Sequence, residues 1–142
     1  MRRFRAAGRV VGQVIEVAEV ERMAGDALEH LAGVEEVTIG FRRPDGSAGS
    51  TPVWIVRAGD GIFVRSMYGR RGGWYRRLRA DPDGEVLDGA HAHPVRAEPV
   101  ADASTVEEVT RAYAAKYADS PYVGSLLSEE AAAATLRLGP RE

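Results

Sequence analysis

Apolar residues recur along this chain with two different periods, and each change of period marks a change of predicted element. Val20, Met23, Ala24, Ala27, Leu28 and Leu31 fall three or four apart, which predicts an amphipathic helix that Gly33 stops. Val37, Ile39 and Phe41 then alternate with polar or small neighbours, the period of a half-buried strand. Pro44, Asp45, Gly46 and Ser47 supply turn chemistry. A second strand is expected from Thr51 through Trp54 to Arg57, apolar on both faces like a barrel wall or a central strand. Gly59-Asp60-Gly61 signals a hairpin, with Ile62 to Ser66 as the return strand.

Beyond the hairpin, a short helix is expected from Gly72 to Ala80, closed by Asp81-Pro82-Asp83-Gly84. Glu85 to Asp88 and Val95 to Val100 read as two more strands. A longer helix follows, capped by Asp102 or Ser104 with Glu107 as partner in a capping box, and carrying Val106, Val109, Ala112, Tyr113 and Tyr117 on one side. Pro121 and Gly124 break it, Ser128 begins a last short helix, and Leu136 and Leu138 end the pattern in a strand or extended tail. Short connections between strands argue against a doubly wound βαβ sheet and for an α+β fold, mainly β with helices, built on a small barrel or curled antiparallel sheet.

At 142 residues the chain suits one domain, read as residues 19–142 behind an N-terminal extension of residues 1–18. The basic opening MRRFR does not continue as a leader, because Gln13 and Glu16 interrupt its apolar run and no small-residue cleavage signal follows. No apolar run approaches the roughly 20 residues of a membrane helix, so a cytoplasmic protein is expected. The absence of cysteine excludes disulfides, thiolate catalysis and Cys-ligated metals. A formal net charge of -2 gives no general pull toward nucleic acid. Lys116 is the single lysine among 19 basic residues, so the cations are nearly all arginine, a fixed fork of donors.

Six of those arginines, Arg65, Arg70, Arg71, Arg76, Arg77 and Arg79, are interleaved with Tyr68, Trp74 and Tyr75. Such a segment offers charge-assisted bonds to a phosphate or carboxylate and stacking area to a flat ring. The bland alternative is a solvated face paired with Asp81, Asp83 and Glu85. Trp74, four residues before Leu78, is read as structural, which leaves Tyr75 as the pocket residue and proton donor. Gly46, Ser47, Gly49, Ser50 and Thr51, with Arg42 and Arg43, form a second candidate anion site that Asp45 opposes. Tyr113, Tyr117 and Tyr122 make a second aromatic group, with Lys116 read as too far round the helix to join it. His91 and His93 lack a third partner at metal-ligand spacing and are expected in an exposed turn, so no metal is assigned.

The runs TIGFRRPDGSAGSTPVWIV, VRSMYGRRGGWYRRLRADPDGEV and HPVRAEPV, with AYAAKY and the terminal AATLRLGP, resemble the DUF2255 family over nearly everything after about Val20. More distantly they are similar to the deazaflavin (F420)-dependent nitroreductases, both within the FMN-binding split-barrel class. The resemblance implies a small antiparallel split barrel, a homodimer, and FMN or F420 held near the barrel strands. It matches Arg43 and Thr51 to the family's phosphate loop and Arg65, Ser66, Trp74 and Tyr75 to the strand, loop and short helix beyond it; with the arginine cluster and the helix tyrosines, the binding candidates are Arg43, Ser50, Thr51, Arg65, Ser66, Arg70, Trp74 and Arg76, and the catalytic candidates Tyr75 and Tyr113. Pro44, Asp45 and Ser50 depart from the lysine, serine and arginine of the F420 family's phosphate loop. Two functions follow: a flavin- or deazaflavin-dependent oxidoreductase acting on a small organic molecule, or a cofactor-free protein that binds or transforms an anionic or aromatic metabolite.

Overall fold

The computed structural model describes residues 9–10, 13–14, 25–89 and 91–141. In the N-terminal segment β1 (Arg9–Val10) pairs antiparallel with β2 (Gln13–Val14). The expected boundary at residues 18 and 19, and the first turns of the predicted helix at Val20, Met23 and Ala24, lie outside the described residues. Helix α1 covers residues 25–31 and buries Leu28 and Leu31.

A seven-stranded antiparallel sheet follows. Its strands are β3 (Val37–Arg42), β4 (Ala48–Val53), β5 (Ile55–Ala58), β6 (Gly61–Arg65), β7 (Asp83–Asp88), β8 (His91–Pro99) and β9 (Thr135–Pro140), in the spatial order β4-β3-β7-β8-β9-β6-β5. The strand expected as continuous from Thr51 to Arg57 is two strands separated by Trp54. Val53 ends the ladder with β3, where it faces Val37, and Ile55 begins the ladder with β6, where it faces Val64. Two alpha carbons on either side of one residue are at most about 7 Å apart. The two edge strands of the order are therefore joined corner to corner, and the sheet curls into a half-barrel.

Period-two alternation explains why β5 and β6 are apolar on both faces. Ile55, Ile62 and Val64 enter a core shared with Ile39, Leu78, Val86, Val95 and Leu136. Their neighbours Val56 and Phe63 enter a second core with Val109, Tyr113, Tyr117 and Leu126. The second core is closed by α3 (Ala103–Lys116) and α4 (Gly124–Leu127), the first by α1 and α2 (Gly73–Ala80). Each fully buried aliphatic side chain contributes about 1.5–3 kcal/mol relative to leaving it in water. Gly124, read as a helix breaker, instead starts α4, and Ser128 caps α5 (Glu129–Ala132) through the Ala131 amide.

Other expectations are revised. β8 starts at His91 rather than Val95, so the histidines lie in a strand and not in a turn, facing Asp88 and Val86 of β7. Among the described residues no group of three or more His, Asp or Glu is placed to hold a metal. Asp102 caps α3, accepting from the Thr105 amide at 2.9 Å and from the hydroxyls of Ser104 and Thr105. Ser104 is thus a donor to the cap rather than the cap, and Glu107 pairs with Arg111 instead of closing a capping box. No helix among the described residues is long and apolar enough to cross a membrane.

Two predictions follow from this packing. A Cβ on Gly84 of β7 would lie 2.7 Å from the Gly40 carbonyl of β3 and 2.9 Å from Leu78. Gly84→Ala is therefore expected to lower stability by about 1–3 kcal/mol in a urea titration. The hydrogen bonds from Ser104 and Thr105 hold the Asp102 carboxyl below its ordinary 3.8. Its contribution is thus complete above that value and is lost as pH falls through the depressed one. The melting temperature of Asp102→Ala should lie a few degrees below wild type at neutral pH, and the gap should close in acid.

Candidate functional site

The site is built where β6 runs out. Arg65 and Ser66 end the strand, a 3-10 turn (Gly69–Arg71) follows, and α2 starts at Gly73 with Gly72 as its N-cap. α2 forms because Tyr75 and Leu78, three apart, share a buried face, while Arg77 and Arg79 in its last turn complement the helix dipole. Its axis is tied to β3 by Arg77, whose Nε donates to the Arg42 carbonyl at 2.9 Å.

Above this corner lies a cleft of about 530 Å³, walled chiefly by aromatic and apolar side chains: Phe41, Trp54, Tyr68, Trp74, Tyr122 and Leu126. Thr51 and Arg65 reach it from β4 and β6. A second cleft of about 560 Å³ shares Phe41, Gly73 and Trp74 with the first and is lined by Arg43, Arg76 and Arg77. The two are neighbours with Phe41, Gly73 and Trp74 as common wall, one an aromatic chamber and the other lined by three arginines. Arg76 is exposed and has no ion-pair or hydrogen-bond partner among the described residues. Asp81 and Asp83, expected to neutralise the cluster, pair instead with Arg42, Arg96 and Arg141, while Arg71 pairs with Glu130.

Arg65 is of a different kind. It is 3% exposed and donates to Thr135 Oγ1 and Thr110 Oγ1, both at 2.8 Å, and to the carbonyls of Leu126 at 2.9 Å and Val106 at 3.0 Å. One side chain thus stitches β6 to β9, α3 and α4, with no carboxylate partner among the described residues. Burial lowers its pKa, as expected for a desolvated cation. The guanidinium lies 5.6 Å from the centre of the Tyr113 ring, which stacks on Tyr117, which in turn lies 4.1 Å from Trp54 at an angle of 6°. Trp54 is the last plate of this column and the first wall of the cleft.

Several sequence expectations are corrected by these positions. Tyr75 is 4% exposed and part of the core, whereas Trp74 lines both clefts, so the roles assigned to this pair are reversed. Tyr113 is fully buried, its hydroxyl donates to the Trp54 carbonyl at 2.6 Å, and burial pushes the phenol pKa far up, so it offers no proton to a ligand. Ser50 and Arg70 are exposed and line neither cleft. Ser66 is buried behind Gly72. Thr51, Arg65 and Trp74 do meet in the first cleft, and Arg43, Trp74 and Arg76 in the second. Lys116 joins the aromatic group after all, with Nζ 5.1 Å from the Tyr117 ring centre. It donates to the carbonyls of Ala32, Val34 and Ile55, and burial lowers its pKa to about 8.

Phe41 and Trp54 are site residues that the sequence reading placed only in strands. Residues 27–138 match the profile of the family described as "Uncharacterized protein conserved in bacteria (DUF2255)". The chain belongs to the DUF2255 family. No match was found among curated proteins. Among solved structures, this DUF2255 chain is similar to Campylobacter jejuni ChuZ, with a TM-score of 0.64 and 10% identity over 89% of this chain and 55% of that one. The DUF2255 chain thus spans about half of ChuZ. It is also similar to HutZ, the heme storage protein from Vibrio cholerae, with a TM-score of 0.56 and 14% identity over 82% and 89% of the two chains. An F420-H2-dependent reductase, FDR-A, gives a TM-score of 0.55 and 15% identity over 74% and 93%. At these identities the likeness is one of fold, and the half-barrel of DUF2255 is the feature held in common.

The Arg65 stitch yields a prediction. Arg65→Met retains much of the apolar stem but removes four hydrogen bonds at once and leaves the buried Leu126 carbonyl without this donor, while the Val106 carbonyl keeps the Thr110 hydroxyl. It is expected to cost about 2–4 kcal/mol of stability in chemical denaturation, more than removal of the exposed Arg70.

Proposed function

We propose that this protein holds a planar ligand with an anionic tail, of the flavin or deazaflavin class, and serves as an oxidoreductase for a small organic molecule. The observation that carries this reading is the adjacency of two clefts, an aromatic chamber and one lined by three arginines, with Trp74 lining both. The residues present fit such a group. Phe41, Trp54 and Trp74 offer faces for a ring, and Arg43, Arg76 and Arg77 offer fork-shaped donors for phosphate or carboxylate oxygens. The volumes are in the range of small-molecule sites, roughly 300–1,000 Å³.

When bound, such a cofactor supplies the hydride chemistry, and the protein supplies position and charge. With Tyr75 and Tyr113 buried, the chain's own part would be orientation: Phe41, Trp54 and Trp74 would hold the ring, and Arg43, Arg76 and Arg77 the tail. Within the turn after β3, the Asp45 carboxylate is held below its ordinary pKa by hydrogen bonds from the Ser47 hydroxyl and amide. It stays charged, which shifts anion recognition away from that turn and toward Arg76. The same reading makes the protein a homodimer, with Met67, Tyr68 and Tyr122, 42%, 66% and 66% exposed at the chamber's rim, covered by a second copy. The heme role carried in HutZ's description fits less well, because no histidine lines either cleft. A second reading, a cofactor-free binder of an anionic aromatic metabolite, is favoured by Pro44, Asp45 and Ser50, which remove the cations of an F420 phosphate loop.

Both tryptophans of the chain, Trp54 and Trp74, wall the chamber, so its occupancy should quench intrinsic fluorescence. Titration with FMN and with F420 is expected to give saturable quenching by at least one of them. Arg76→Ala should weaken that binding about tenfold with an unchanged melting temperature, and native mass spectrometry should find two copies. Arg43→Ala should weaken it less, because the Arg43 side chain is already bonded to the Ala48 carbonyl. Quenching by neither cofactor, together with quenching by an aromatic carboxylate, would replace the oxidoreductase reading with the second one.

A further inference from the structure

We propose that Glu36 makes the aromatic chamber a recognition site for an organic ammonium group, and that the substrate class is a ring-bearing amine. As a statement about substrate this deepens the oxidoreductase reading and rests on it; as a statement about binding it rests on the chamber alone. Two charged residues line the chamber, Glu36 and Arg65. Arg65 is 3% exposed, and its guanidinium already donates to four acceptors beneath the wall. Glu36 is exposed, and its carboxylate has no ion-pair or hydrogen-bond partner among the described residues. The charged group that a ligand can reach in this cleft is therefore an acceptor. The arginines suited to an anion, Arg43, Arg76 and Arg77, belong to the neighbouring cleft.

Strand register gives the site a direction. Val37 faces Val53 in the ladder of β3 with β4, and Ile55 faces Val64 in that of β5 with β6. The next positions along these two ladders place Glu36 on one side of Trp54 and Arg65 on the other. A ligand against Trp54 thus meets a carboxylate toward β3 and a buried cation toward β6, which sets its positive end at Glu36. The Glu36 charge is felt in the aromatic column beneath: burial raises the Tyr117 phenol to about 12, and Glu35 and Glu36 add to the rise. Rings of Trp and Tyr attract a cation through their quadrupole, more so where water is excluded. The same column already holds one ammonium, that of Lys116, with Nζ 5.1 Å from the Tyr117 ring centre. Trp54, Trp74, Tyr68 and Tyr122 offer further aromatic surface in the chamber. An apolar wall with one reachable carboxylate sorts ligands by charge: it pairs a cation and sets an anion beside a like charge.

Both tryptophans of the chain line the chamber, so the two indole N–H resonances of the nitrogen-labelled full chain report its occupancy. The probes are benzylammonium, benzyl alcohol and benzoate, which share a ring and differ in charge. Saturable indole shifts are expected with benzylammonium, with an affinity about tenfold lower for the alcohol and lower still for benzoate. Added salt should weaken the benzylammonium complex and leave that of the alcohol unchanged. Glu36→Gln replaces an exposed, unpartnered carboxylate by its isostere. It should lower benzylammonium affinity about fivefold, with the affinity for benzyl alcohol and the melting temperature unchanged. A Glu36 that only shaped the wall would move all three probes together. Tighter binding of benzoate, equal affinity for the three probes, no indole shift with benzylammonium, or a charge preference unchanged in Glu36→Gln overturns the proposal. No probe requires FMN or F420. Charge-sorted binding without either cofactor keeps the ammonium site and removes the oxidoreductase reading, whereas a bound cofactor without charge sorting does the reverse.

Discussion

One residue sets the geometry on which everything else depends. Trp54 is the whole connection between β4 and β5, which lie at opposite ends of the seven-strand order. An open sheet of that width has edges far apart, because neighbouring strands are about 4.8 Å from one another. A single-residue link is incompatible with that separation, so the sheet is obliged to curl until its two edges touch at one corner. The tryptophan at this corner packs against the second core. Its indole lies flat on Tyr117, which ties the corner to the end of α3.

The first cleft is a consequence of that curl. Where the edges converge, the end of β6 cannot continue along the sheet, and the chain leaves through a 3-10 turn into α2. Phe41 of β3 and Thr51 of β4 are brought together by their own hairpin, and the curl brings Arg65 of β6 and Trp74 of α2 against them. Arg65 fixes the same corner from beneath. A buried guanidinium without a carboxylate is costly unless its donors are satisfied, and carbonyls and hydroxyls from three elements accept from it. The rigid underside is thereby separated from the exposed arginines Arg43 and Arg76, which share a residue type with Arg65 but not its task.

Local chemistry made much of this legible in the sequence. The Gly59-Asp60-Gly61 hairpin, the two-faced apolar character of Ile55 to Val64 and the long helix after Asp102 all follow from period and turn residues, and all occur. The break at Trp54 was not legible, because a strand that changes partners keeps the alternation of one that does not. Trp74 and Tyr75 were read in the wrong order because Leu78 is i+4 from the first and i+3 from the second, and both spacings suit a shared face. Lys116 was set aside on helical angle alone. Its stem lets the ammonium reach carbonyls of the α1 loop and β5 that no helical wheel displays. The arginine cluster was visible as composition, but its division into one buried stitch, one tether to β3, one partner of Glu130 and Arg76 at the second cleft depends on tertiary partners.

The position of β9 bears on how the molecule comes to exist. This strand, the last of the sheet in chain order, is inserted between β8 and β6, so the two halves of the curl share no ladder until it arrives. Arg65 and Thr135, a bonded pair 70 residues apart, cannot meet before then. Non-local pairing of this sort is slow to nucleate. On a ribosome the chain would have to emerge through Pro140 before its central ladder could form, with the seam between β8 and β6 open until then. Nascent chains of this kind depend on late closure, and a premature stop before Thr135 would remove the seam of the barrel rather than its fringe.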